Sequence, residues 1–212
     1  MNKKTMVFLT KVALSNLVLV ALSFLKVNTI IGAPAAYFSL AILGGPLVGL
    51  YAGVSCAGVL YAARFLIKFF AYGLELSPIN MYIPTLCGAA YWSGNRLFFR
   101  LLLPLLCMVL FLVHPVGNQA WAYSLYWLIP VALYWFSQEY VVLHALANSF
   151  IMHAVGSVIW LYCVPMSAEH FMALIPVVLV ERMIIALSMT IVITGVEALK
   201  TLPLAVYKRL NA

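Results

Sequence analysis

Two stretches of the chain hold side chains that could do chemistry. Between residues 140 and 164 an apolar run carries Tyr140, His144, Asn148, Ser149, His153, Gly156, Ser157 and Trp160. On a helix, at about 100° per residue, Tyr140, His144 and Asn148 fall on one face, and Ser149, His153, Gly156, Ser157 and Trp160 on the other. A helix that is polar on both sides is expected to be buried on both sides, because polar groups at membrane depth need a partner helix or a cavity. Imidazole, hydroxyl and indole groups in one stripe suit a ligand site; plain packing is the simpler use of the same groups, and Trp160 also fits an interfacial aromatic belt. The second stretch, residues 171–199, carries Glu181-Arg182 in its middle. An unpaired charge at depth costs at least ~2.5–3.5 kcal/mol. Neighbours on a helix diverge by about 100°, so each charge is expected to find its partner elsewhere, on another helix, in a water-filled cavity or on a ligand.

Motifs that would specify a reaction are missing. The sequence has no H-E-x-x-H, no G-x-S-x-G, no serine–lysine spacing of the common hydrolases and no P-loop. All five acids are Glu (75, 139, 169, 181 and 197) and there is no Asp. A two-metal centre is therefore not expected, nor is a cofactor. Cys56, Cys87, Cys107 and Cys163 stand singly in apolar segments, without metal-ligand spacing.

The elements that position these residues follow from composition. Of 212 residues, 66% are hydrophobic and 8% charged, with a mean hydropathy of +1.09. A soluble domain is about 25% charged. That excludes a soluble enzyme, and the hydrophobicity excludes a disordered chain. What remains is a polytopic membrane protein. With about 20 residues per span, the chain has room for six to eight crossings and none for an extramembrane catalytic or nucleotide-binding domain. The expected fold is all-α: one integral membrane domain over residues 1–212, a bundle of six to eight helices.

Apolar segments occur at 6–26, 34–44, 47–72, 79–94, 98–114, 120–137, 140–164 and 171–199. Those at 34–44 and 79–94 are short for a span and read as half-helices or re-entrant pieces. Breaks at Asn28-Thr29, Gly44-Gly45-Pro46, Glu75 to Pro78, Gly94-Asn95-Arg96, His114 to Asn118 and Pro165-Met166-Ser167 carry turn chemistry. The net charge of +7 comes from basic residues flanking apolar runs, which points to membrane topology and not to nucleic acid. Lys3, Lys4 and Lys11 at one end, and Lys200, Lys208 and Arg209 at the other, place both termini in the cytoplasm of a cell with the chain in its cytoplasmic membrane. Arg64 and Lys68 fit that rule less easily. Gly45, Gly49, Gly53 and Ala57 recur every four residues, a side-chain-free groove for close helix packing or for docking a partner subunit.

The run Ile42-Leu43-Gly44-Gly45-Pro46-Leu47-Val48-Gly49-Leu50-Tyr51-Ala52-Gly53 resembles the G-P-x-x-G-x-x-x-G turn and helix start of the substrate-binding S components of energy-coupling factor transporters. His153 to Trp160 and Leu174 to Arg182 are similar to the last two helices of some members, and the small six-helix plan agrees. The resemblance implies capture of a vitamin, vitamin precursor or metal ion from outside, with a membrane coupling subunit and two cytoplasmic ATPases as partners. Ala13, Leu17 and Ala21 stand where such proteins often carry an A-x-x-x-A docking motif. The cobalt and nickel binders begin Met-His; this chain begins Met1-Asn2, which argues against metal cargo.

The leading expectation is thus a small-solute binding subunit, or a self-sufficient facilitator, with His153, Ser149, Ser157, Trp160, Glu181, Arg182 and Trp127 contacting substrate and Tyr123 and Tyr126 adding aromatic wall. His144 and Asn148, on the opposite face, are expected to bond between helices. The runner-up is an intramembrane enzyme acting on a lipid or isoprenoid, with His153 or His144 as general base and Glu181 as acid. A scaffolding subunit without ligand is the third reading. The charge pattern predicts an even number of crossings: reporter fusions near Asn2 and at Ala212 should both read cytoplasmic, and opposite signals would overturn that topology.

Overall fold

The computed structural model describes residues 2–30, 33–73, 76–93, 97–136 and 140–210, with side chains left aside at 26–30, 33–38, 72, 76–81, 93, 136 and 201–210. Glu75, the Gly94-Asn95-Arg96 turn and Glu139 lie outside the described residues, as do the side chains of Lys208 and Arg209. The chain is an all-α membrane bundle with one small β-ribbon attached.

Helix α1 (Lys3–Ser23) begins at Asn2, whose side chain accepts from the Lys4 N–H. It is followed by an antiparallel ribbon of β1 (Lys26–Ile30) and β2 (Ala33–Ser39). Expected as part of a half-helix, the start of the 34–44 segment is instead a strand. The β-branched Val27, Thr29 and Ile30 favour extended backbone, and Pro34 tolerates an edge position. A two-stranded ribbon leaves N–H and C=O groups unpaired at its edges, so it belongs at the membrane surface or against protein, not in lipid.

A 3-10 turn at Leu40–Leu43 leads into α2 (Gly44–Ala52) and α3 (Val54–Tyr72). The 47–72 segment is therefore two helices. The break falls on Gly53, whose φ of 92° and ψ of 158° lie where side chains are strained. Helix α4 (Leu76–Ser93) contains Pro84. A π-helical turn, Phe98–Leu102, opens into α5 (Leu103–Val113). Residues 120–137 do not form one span. Behind a short helix α6 (Pro115–Gln119), which is capped by Ala120, they are divided between a 3-10 stretch Trp121–Trp127 and α7 (Leu128–Phe136). Helices α8 (Val141–Cys163) and α9 (Ala168–Leu210) complete the chain.

Four of these helices are long and apolar enough to cross a membrane: Lys3–Ser23, Val54–Ala71, Val141–Cys163 and Ala168–Lys200. Shorter apolar helices run over Leu40–Ala52 and Phe98–Val113. Large apolar side chains such as Leu17, Ile67, Phe70 and Ile191 are mostly exposed. On a soluble protein that surface would aggregate; against lipid it is the expected exterior.

Helix α8 is the centre. It packs on α4, α5, α7 and α9, and α4 in turn packs on α2. Glycine makes the α2–α4–α8 stack possible. A Cβ at Gly45 would strike Thr85, one at Gly49 the backbone of Ala89, and one at Gly88 the side chain of Met152 on α8. The four-residue glycine spacing is thus a groove for only part of its length. Gly45 and Gly49 face α4, and Ala57 is fully buried beside Leu19, Val48 and Cys56. Gly53 is no part of it: open space surrounds its Cβ position, and its role is the bend.

Two substitutions separate these roles. Gly49→Ala should cost ~1–3 kcal/mol by overpacking against Ala89. Gly53→Ala should cost ~1–3 kcal/mol through backbone strain, with no steric conflict. Because the atoms in the way at Gly49 are Ala89 backbone, the cost there should grow with side-chain size: Gly49→Leu should lower the thermal midpoint in detergent well below Gly49→Ala, whereas Gly53→Leu, in open space, should match Gly53→Ala. A loss at Gly49 that does not depend on side-chain size would show that the contact is not what limits Gly49.

Candidate functional site

A cavity of about 480 Å³ lies between the two halves of the chain. Its C-terminal wall is built by α8 and α9. His153, Gly156, Ser157 and Trp160 come from α8, and His170, Phe171, Leu174, Val178, Glu181 and Arg182 from α9. Their spacing explains the grouping, since each set recurs at one helix face. From Ala168 to Arg182 the helix runs about 20 Å at 1.5 Å per residue, so the cavity extends deep from the exposed Pro165 and Ser167 in the α8–α9 loop. The opposite wall comes from Leu19, Tyr61, Arg64, Tyr82, Pro84 and Thr85, and Tyr123 of the 3-10 stretch closes one side.

A polar chain crosses the cavity wall. The hydroxyls of Tyr123 and Ser157 share a hydrogen bond of 3.2 Å, and Ser157 Oγ stands 3.5 Å from His153 Nε2. The Tyr123 ring meets the His153 ring edge-on, centroids 5.3 Å apart. Arg182 Nη2 donates to Glu181 Oε2 at 3.5 Å, with side-chain exposures of 4% and 13%. The two were expected to find partners elsewhere. They also meet each other, at this long distance, because both side chains lie on the same cavity wall. At 3.5 Å and with one nitrogen engaged, it is far from a bidentate clamp.

Five of the seven expected substrate contacts line the cavity: His153, Ser157, Trp160, Glu181 and Arg182. Ser149 and Trp127 do not. Ser149 is fully buried and donates to the Arg182 carbonyl at 3.2 Å, which ties α8 to α9 just behind the wall. Trp127 is also fully buried and packs edge-on against Phe111, with centroids 5.1 Å apart. Tyr126, expected as wall, donates to the Ile175 carbonyl at 2.9 Å and is absent from the lining. These three residues hold the wall in place.

The opposite face of α8 bonds to α4. Asn148 Nδ2 donates to the Gly88 carbonyl at 2.8 Å, and His144 Nδ1 lies 3.0 Å from the Tyr91 hydroxyl. Neither residue lines the cavity. Sequence reasoning missed the N-terminal wall, Tyr61, Arg64, Tyr82 and Thr85, because nothing in local spacing links it to residues a hundred positions later. One signal existed: Arg64, a cation well inside an apolar segment. Among the described residues, no three His, Cys or Glu side chains come together as a metal site requires.

Compared with protein-family models, with curated proteins and with solved structures, the chain matches none. The site therefore rests on its own geometry. His144→Ala and Asn148→Ala should each lower stability by ~0.6–1.7 kcal/mol, the range for hydrogen bonds between membrane helices. Thermal unfolding in detergent checks this, and unchanged midpoints for both would remove their role in joining α8 to α4.

Proposed function

We propose that this chain is the membrane-embedded substrate-binding subunit of a small-solute uptake transporter, taking a vitamin or a vitamin precursor. On this reading it sits in the cytoplasmic membrane with both termini inside and works with a separate coupling subunit and ATPases. One observation carries the reading: a cavity of about 480 Å³, largely apolar, into which a few polar groups converge from α8 and α9. That is the usual make-up of a small-molecule site, where apolar and aromatic walls supply burial and a few placed polar groups fix orientation. Tyr123, Trp160 and Phe171 offer faces and edges to a flat ring, and Ser157, His153, Glu181 and Arg182 offer hydrogen bonds. These 212 residues contain no P-loop, so on this reading the energy comes from the partners.

The alternative is an intramembrane enzyme acting on a lipid or isoprenoid. The observation in its favour is the 3.5 Å approach of Ser157 Oγ to His153 Nε2, with Glu181 on the same cavity wall. The approach is at the outer limit of a hydrogen bond, and the hydroxyl is already engaged with Tyr123, which favours binding over nucleophilic attack.

Purification from native membranes in a mild detergent, followed by mass spectrometry of co-purifying small molecules, tests the two readings together. A small solute retained unchanged by the parent and lost with His153→Ala, at nearly unchanged thermal stability, supports binding. Conversion of an added lipid extract to products of new mass, abolished by the same substitution, supports the enzyme. Retention that His153→Ala leaves untouched would overturn the assignment of this cavity.

A further inference from the structure

Arg64 is the residue that the topology of charges left over. It lies ten positions into α3, within a helix segment long and apolar enough to span a membrane, where a cation is costly. The structure places it on the wall of the cavity that α8 and α9 also line. Its guanidinium donates through Nη1 to Asn16 Oδ1 of α1 at 2.8 Å, a neutral partner. Among the described residues no carboxylate comes within 4 Å of it, since the ion pairs there are Arg182–Glu181 and Lys200–Glu197. Among the described residues Glu181 is the one acid in the lining, and it already meets Arg182. Among the described residues the cavity wall thus carries two arginines and one glutamate, and the surplus positive charge sits at Arg64.

A guanidinium has five N–H donors in a planar fork shaped for carboxylate or phosphate oxygens, and it keeps its charge when buried. Asn16 fixes one arm of that fork and so orients the rest. We propose that the cavity takes an anionic ligand, with Arg64 binding its carboxylate or phosphate group while the aromatic and hydroxyl groups of α8, α9 and Tyr123 hold the body. This rests on the reading of the cavity as a binding site and adds the charge class of what is bound. Two sources share the chemistry: a free organic acid or phosphate, and the headgroup of an anionic lipid.

The test uses the full chain in an uncharged maltoside detergent, with thermal unfolding as readout and a matched pair of probes, indole-3-acetate and its neutral amide, indole-3-acetamide. Millimolar indole-3-acetate is expected to raise the unfolding midpoint and the amide to have little effect. Arg64→Gln should weaken the acid's effect about tenfold or more, and Arg64→Lys should keep part of it. Phosphatidylglycerol, compared with phosphatidylcholine in the same micelles, distinguishes the sources. Stabilisation by phosphatidylglycerol that requires Arg64 and displaces the acid assigns the anion to lipid; stabilisation by the acid alone assigns it to a free solute. Equal effects of acid and amide, lost with His153→Ala, would overturn anion recognition while leaving a binding cavity. No effect of either probe or of phosphatidylglycerol would overturn both. An acid effect that survives unchanged in Arg64→Gln would overturn the role of Arg64.

Discussion

Hydrocarbon offers no hydrogen bonds, so every polar group inside the bundle has to be met by protein or by the contents of a cavity. Helix α8 is organised by that constraint. Asn148 is bonded to the Gly88 carbonyl and His144 lies against the Tyr91 hydroxyl on one side, while Ser149 is bonded to the Arg182 carbonyl on the other. Each such bond contributes modestly, about 0.6 kcal/mol on average between membrane helices. Their combined effect is on position: the rotation of α8 is fixed at both flanks, and the remaining polar residues, His153 and Ser157, are turned into the cavity.

Close approach depends on missing side chains. The carbonyl of Gly88 is reached by Asn148 because nothing larger than hydrogen separates the α4 backbone from α8 at that point, with Met152 filling the adjoining space. Gly45 and Gly49 bring α2 against the other side of α4. Without a hydrophobic driving force between helices in lipid, such backbone-to-backbone contact is a main source of packing energy. Pro84, which interrupts the helical hydrogen bonding of α4, lies on the cavity wall opposite Gly156, so the packed stack and the cavity meet at that proline.

The sequence made the bundle class and the two faces of α8 readable because both follow from local periodicity. Polar residues at helical spacing in an apolar run allow few arrangements, and His153, Ser157 and Trp160 on one side with Asn148 on the other can be worked out from angle alone. Distance in the chain hid the rest. That Tyr61, Arg64 and Tyr82 line the same cavity as His153 is a result of tertiary packing, which no periodicity encodes. Gly53 was misread for a different reason: four-residue spacing looks the same whether a glycine makes room for a neighbour or permits a turn, and only its φ of 92° separates the two. The ribbon at 26–39 was missed because Ala33 to Ser39 is as apolar as a helix segment, and a short apolar run does not declare its own period.

The cavity also bears on the order in which the molecule is completed. One wall comes from residues 19 to 85 and the other from 123 to 182, so no portion of the chain emerging from the ribosome holds the whole site until α9 has joined the bundle. Whatever occupies the cavity meets both walls at once and has nothing comparable to grip in a half-inserted chain. By mass action an occupant present at a hundredfold excess over its dissociation constant stabilises the assembled state by about 2.7 kcal/mol. Newly made chains in a cell rich in that compound would complete assembly more often, and empty ones would open along the seam between the halves and be cleared first. On the proposed reading, abundance in the membrane would then follow supply of the compound.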